Sequence, residues 1–121
     1  SELWHELRRS FIEKLVSAYP EIRVTTGSAD CVGNTISLLL PIIPAQTAVI
    51  ALDMAGYAVS AGSACSSGKV QSSHVMLAMG LGEMSANVIR VSFGWENKPE
   101  DISQLADEII ALYKYHSNLS L

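Results

Sequence analysis

A chain of 121 residues with 49% hydrophobic residues, 17% charged residues and a formal net charge of −4 is one domain's worth of globular protein with a core of its own. The acidic balance argues against nucleic acid or an anionic membrane surface as partner. The apolar runs are too short to span a bilayer and no basic-then-apolar leader opens the chain, so no membrane association is expected and the expected location is cytoplasmic.

In chain order, Leu3, Leu7, Phe11 and Leu15 recur every fourth position with Trp4, Ile12 and Val16 beside them. Residues 2–18 therefore read as an amphipathic helix that ends near Pro20. The helix begins at once, and the chain reads as cut from something longer. The stretch IRVTT (22–26) is a β-rich run and NTISLLLP (34–41) another, stopped by Pro41. Between them GSADCVG is a turn region that holds Cys31. Pro44 suits the first turn of a helix running to about Met54, apolar on most sides and so expected to be buried, with Gly56 at its C-terminal end. YAVS (57–60) is a short strand, and SSHVMLAMGLG is a short helix from Ser72 or Ser73 with Gly80 as its stop. NVIRVSFGW (87–95) is a strand by its β-branched and aromatic content. Pro99, Glu100 and Asp101 open the last helix, whose expected buried stripe is Ile102, Leu105, Ile109 and Leu112 or Tyr113. The order α-β-β-α-β-α-β-α predicts a small α/β sandwich of about four mixed or largely antiparallel strands with helices packed on the sheet.

The stretch SAGSACSSG (60–68) raises the question of chemistry. A phosphate-binding loop needs four residues between its glycines and a hydroxyl after its lysine. Here five residues separate Gly62 from Gly68, and Val70 follows Lys69, so spacing and chemistry both argue against a nucleotide. Ser60, Ala61, Gly62, Ser63, Ala64, Ser66, Ser67 and Gly68 surround Cys65 without bulk, and such a loop adds little to a core. Small neighbours let a thiol approach a substrate closely, and Lys69 with the following helix N-terminus favours the thiolate. The plainer alternative is an inert cysteine buried under a turn. Cys31 and Cys65 make no disulfide framework, and the scattered His5, His74 and His116 make no metal-ligand pair, so no metal site is expected. In NVIRVSFG, alternation places Ile89, Val91 and Phe93 on one face and Val88, Arg90 and Ser92 on the other. The guanidinium of Arg90 offers a planar fork for a carboxylate, although from the pattern alone an ordinary half-exposed strand arginine is the favoured reading.

SAGSACSSG, the helix SHVMLAMGLG and the strand NVIRVSFG together resemble the C-terminal part of the NifS/IscS-type cysteine desulfurases of the class V aminotransferase superfamily, and the similarity extends over nearly the whole chain. The resemblance implies that residues 1–121 are the small domain of a fold-type I pyridoxal-phosphate enzyme whose large, cofactor-binding domain is absent from this chain. It implies Cys65 as the nucleophile that takes sulfur from L-cysteine, leaving alanine and an enzyme persulfide, and Arg90 as the ligand of the substrate carboxylate. It implies pyridoxal 5'-phosphate and a homodimer in the full-length protein. The sulfur acceptor would be a protein such as an iron–sulfur scaffold, or the sulfur would pass to tRNA thiolation. The motifs that hold the cofactor in that family are not found here, so this chain alone is expected to bind none and to be inactive. Ser72 stands where many relatives have proline. A selenocysteine lyase or another class V relative, and a free-standing sulfur carrier or interaction module, are the alternative readings.

Overall fold

The computed structural model describes residues 2–25, 34–62, 86–94 and 97–119. Among these the elements run α1 (Glu2–Ala18), β1 (Arg23–Val24), β2 (Thr35–Leu39), α2 (Ala45–Met54), β3 (Val59–Ala61), β4 (Val88–Ser92) and α3 (Pro99–Leu119). The short helix expected from Ser72 or Ser73 lies outside the described residues, as does the turn around Cys31.

The four strands form one sheet in the order β1-β2-β4-β3. Every pairing is antiparallel, which decides between the mixed and antiparallel expectations. β2 and β4 are the long central partners, in register from Thr35 opposite Ser92 to Leu39 opposite Val88. Their β-branched and leucine content suits a buried pleated surface.

Period-two alternation sorts the strands into two faces. Ile36, Leu38, Ile89, Val91 and Phe93 point to the helices and join one core cluster with Phe11 and Leu15 of α1, Ala48 and Leu52 of α2, and Ile102, Leu105, Ala106, Ile109 and Tyr113 of α3. Phe93 is its aromatic hub at the α1 end, with ring centroids 5.5 Å from Trp4 and 5.6 Å, edge-on, from Phe11, an arrangement that adds stabilisation beyond burial. A Lys14–Asp107 ion pair of 2.7 Å also joins α1 to α3; at that exposure it adds little.

The helix ends follow from local chemistry. Pro44 is the N-cap of α2 with φ −58° and ψ 141°, one residue earlier than the expected first-turn position. At the other end Gly56 takes φ +96°, and the N–H groups of Gly56 and Tyr57 donate to the carbonyls of Asp53 and Leu52 at 2.9 and 3.1 Å. That pair of bonds closes a Schellman turn, which needs a left-handed residue that glycine supplies without strain. In α3, Asp101 Oδ2 accepts the Lys98 N–H at 3.0 Å, the carboxylate half of a capping box.

Two packing expectations are corrected. α2 is not buried all round: Ile50 is 62% and Met54 83% exposed, and only Ala45, Ala48 and Leu52 are buried. The helix packs on one face of the sheet, so only that side of its apolar surface finds a partner. The stripe of α1 likewise leaves the core at its start, where Leu3 is 59% exposed.

Tyr113 is wholly buried and its hydroxyl has no hydrogen-bond partner among the described residues. Burial, with the Glu21 carboxylate nearby, holds the phenol in its neutral form well above the ordinary tyrosine range. A folded-state value above the unfolded one, near 10, leaves stability intact below about pH 10 and erodes it as pH rises beyond. Denaturant midpoints measured from pH 8 to 11 are therefore expected to fall more steeply for the native chain than for Tyr113→Phe. Parallel slopes would contradict this account of the phenol.

Candidate active site

The sheet face turned away from the described helices carries Arg90. Register fixes a polar row across it: Ser37 of β2 and Ser60 of β3 both pair with Arg90 of β4, and the Thr25 N–H donates to the Ser37 carbonyl at 3.0 Å. Thr25, directly after β1, thus lies in line with Ser37, Arg90 and Ser60 of β2, β4 and β3. Beside this row, Leu39 and Val88 are buried yet stand apart from the main core cluster. On its other side the Thr35 and Ser92 hydroxyls meet at 3.4 Å.

Arg90 is half-buried. Its Nη2 donates to Ser60 Oγ at 3.3 Å. Its Nε is buried and has no hydrogen-bond partner among the described residues, and the Thr25 hydroxyl shares that condition. A guanidinium carries five N–H donors in a fixed fork, and a buried donor left unmade costs free energy. A planar anion laid against the fork would satisfy it.

Ser60 belongs to β3, and the chain continues through Ala61 and Gly62 into residues 63–68. The stretch expected to present Cys65 is therefore rooted on the strand beside Arg90. Gly62 is buried, and a Cβ added there would meet the Val88 side chain and stand 2.9 Å from the Val88 carbonyl oxygen. The glycine is required by space: the strand leaves the sheet at van der Waals contact with β4. Gly62→Ala is expected to destabilise the chain by about 1–3 kcal/mol, read as a lower denaturation midpoint at unchanged slope. An unchanged midpoint would contradict so close an approach. Ser63, Ala64, Cys65, Ser66, Ser67 and Gly68 lie outside the described residues, and so do Lys69, His74 and Cys31.

Sequence reasoning missed Asn87. Its Nδ2 lies 2.9–3.2 Å from the carbonyls of Leu40, Pro41 and Ile43, and its own carbonyl accepts the Leu40 N–H. One amide side chain thereby fixes the β2–α2 connection to the start of β4, two residues before Ile89 and three before Arg90. The signal was faint, because a lone asparagine ahead of an apolar strand reads equally well as a turn residue.

A cavity of about 350 Å³ opens elsewhere, between the segment leading into β3, the end of β4 and the start of α3, lined by residues including Tyr57, Phe93, Gly94, Asn97 and Asp101. Two of its polar groups are already engaged: the Gly94 N–H donates to Asn97 Oδ1 at 2.7 Å, and Asp101 Oδ2 accepts the Lys98 N–H. Burial, then the carboxylates of Glu108, Asp101 and Asp107, raise the Tyr57 pKa, a sign of negative potential that disfavours an anionic ligand. The sheet face of Arg90 is the better anion site.

Among the described residues no group of three or more His, Cys, Asp or Glu is placed to hold a metal ion. Lys14 is exposed and engaged by Asp107 and Ser103, and Lys98 and Lys114 are exposed. None of these amines is desolvated, the usual route to a neutral, nucleophilic lysine. No helix among the described residues is long and apolar enough to cross a membrane.

Comparison with known proteins agrees with this architecture. A cysteine desulfurase of Klebsiella pneumoniae is 31% identical over 121 residues, 93% of this chain and 30% of that protein. Cysteine desulfurase IscS 1 of Archaeoglobus fulgidus is 33% identical over 96 residues, 78% of this chain and 23% of that protein. The solved structure of a NifS-like protein from Rickettsia africae superposes with a TM-score of 0.67 at 26% identity, over 92% of this chain and 28% of its own. The chain thus spans less than a third of the length of these relatives. The family model described as Aminotransferase class-V matches residues 2–105, and the chain belongs to the class-V aminotransferase family.

Proposed function

We propose that this chain, residues 1–121, is the small domain of a cysteine desulfurase. Within the full-length protein, Cys65 takes sulfur from L-cysteine and Arg90 holds the substrate carboxylate. The observation that carries the reading is the half-buried Arg90 fork, with a buried and unpartnered Nε, beside the strand that leads to Cys65. The relatives named cysteine desulfurase supply the substrate class.

In this reading the Cys65 thiolate attacks the sulfur of L-cysteine. A new S–S bond forms while the substrate Cβ–S bond breaks, and its electron pair ends on Cβ with a proton, giving L-alanine and an enzyme persulfide. The persulfide then passes its outer sulfur to an acceptor thiol, such as that of an iron–sulfur scaffold protein. The small residues around Cys65 suit both events, since the thiol has to meet the substrate and then the acceptor.

Pyridoxal phosphate, implied by the family, supplies the electron withdrawal that makes the Cβ–S bond labile. The described residues do not fit it: they offer no desolvated lysine, and the cavity beside Tyr57 is lined by the Asp101 carboxylate. In this reading the cofactor is held by the remainder of a longer protein, which works as a homodimer in the cytoplasm. Full-length protein given pyridoxal phosphate, L-cysteine and a thiol reductant is expected to form alanine and sulfide in equal amounts. Sulfide without alanine, or turnover of selenocysteine alone, would overturn the reading.

A further inference from the structure

We propose that Ser60 is a positioning residue for Arg90: its hydroxyl anchors the guanidinium so that the free donors meet the substrate carboxylate in plane. The proposal rests on the reading of Arg90 as the carboxylate ligand and adds to it the group that sets its aim.

Arg90 sits on a central strand, but its side chain is long, and an unanchored arginine loses substantial rotamer freedom when it clamps a ligand. The guanidinium donates from Nη2 to Ser60 Oγ at 3.3 Å. The bond runs between directly paired residues of β3 and β4, so strand geometry fixes where the acceptor stands. It draws the head group toward β3 and leaves the buried Nε–H without a partner. The anchor occupies one of the five donors of the fork. Ser60 also lies five residues before Cys65. One short strand thereby holds the clamp for the carboxylate and the root of the segment that carries the thiol, which ties the two ends of a small amino acid substrate to one reference. A serine satisfies these demands without competing for the site. Its hydroxyl accepts from the guanidinium yet carries no charge that would repel the substrate.

The test uses full-length enzyme carrying Ser60→Ala, Ser60→Thr, Arg90→Ala or the Ser60→Ala/Arg90→Ala pair. Losing one hydrogen bond that pre-orients the ligand is expected to raise the KM for L-cysteine about fivefold, with kcat changed by less than about twofold. Competitive inhibition by L-alanine, which keeps the carboxylate, is expected to weaken in parallel. Inhibition by cysteamine, which lacks it, is expected to stay unchanged, and so is the denaturation midpoint. Ser60→Thr keeps the hydroxyl on a β-branched side chain that suits a strand, and is expected to restore KM. On the Arg90→Ala background Ser60→Ala is expected to add nothing, because the group it positions is gone. If Arg90→Ala raises KM and Ser60→Ala does not, the positioning role falls while Arg90 keeps its own. If Arg90→Ala itself leaves KM unchanged, both fall. A loss of cysteamine inhibition equal to that of L-alanine would also overturn the proposal, since the effect would then not run through the carboxylate.

Discussion

Cys65→Ser is expected to lower desulfurase turnover in the full-length protein by at least about three orders of magnitude, while leaving the apparent affinity for L-cysteine nearly unchanged. The reasoning is chemical. A thiolate is populated near neutral pH and is a strong nucleophile toward sulfur, whereas a serine hydroxyl has no comparable ionised form and forms no stable bond of this kind. Binding survives because, in this account, the carboxylate is held on β4 by Arg90 and not by the cysteine. Cys31→Ser serves as the control and is expected to turn over normally. A Cys65→Ser enzyme that retains a substantial fraction of activity would mean that another group receives the sulfur.

The second large effect is expected at Arg90. Arg90→Ala removes a charge-assisted interaction with the substrate carboxylate, worth about 1.5–3 kcal/mol, and the KM for L-cysteine is expected to rise by about 10- to 150-fold. Arg90→Lys keeps the charge but replaces a planar fork by a single ammonium, and is expected to fall between native and alanine variants. Stability offers an independent check. The native Nε is buried without a partner among the described residues, so truncation also removes an unsatisfied donor and is expected to cost the fold little. Native-like KM in both variants would return Arg90 to the role of an ordinary strand arginine.

Much of this architecture could be read from residue pattern. The stripes of α1 and α3 and the alternation of NVIRVSFG are strong periodic signals, and Phe11, Leu15, Ile89, Val91, Ile102, Leu105 and Ile109 are core residues in the structure. Gly56 was legible because a helix end that needs a left-handed residue favours glycine. What the pattern could not give was pairing. The row Thr25–Ser37–Arg90–Ser60 exists only through register, which joins positions up to 65 residues apart in the sequence, and no local propensity encodes it. The same holds for Gly62, whose need for a bare Cα comes from Val88 on another strand. The overreading of α2 has a related cause. Its composition is apolar throughout, but with one sheet face to pack against only one side could be covered, and Ile50 and Met54 remain outside. Residue 65 itself was singled out by the smallness of its neighbours, a chemical signal that owes nothing to periodicity.

The most direct measurement of the central claim is the location of the transferred sulfur. Full-length protein loaded with pyridoxal phosphate is given L-cysteine without reductant, its thiols and persulfides are trapped by alkylation, and its peptides are read by mass spectrometry. The account predicts one extra sulfur on the peptide that contains Cys65, none on the peptide that contains Cys31, and alanine formed in proportion. Extra sulfur on Cys31, or alanine accumulating while Cys65 stays unmodified, would contradict it.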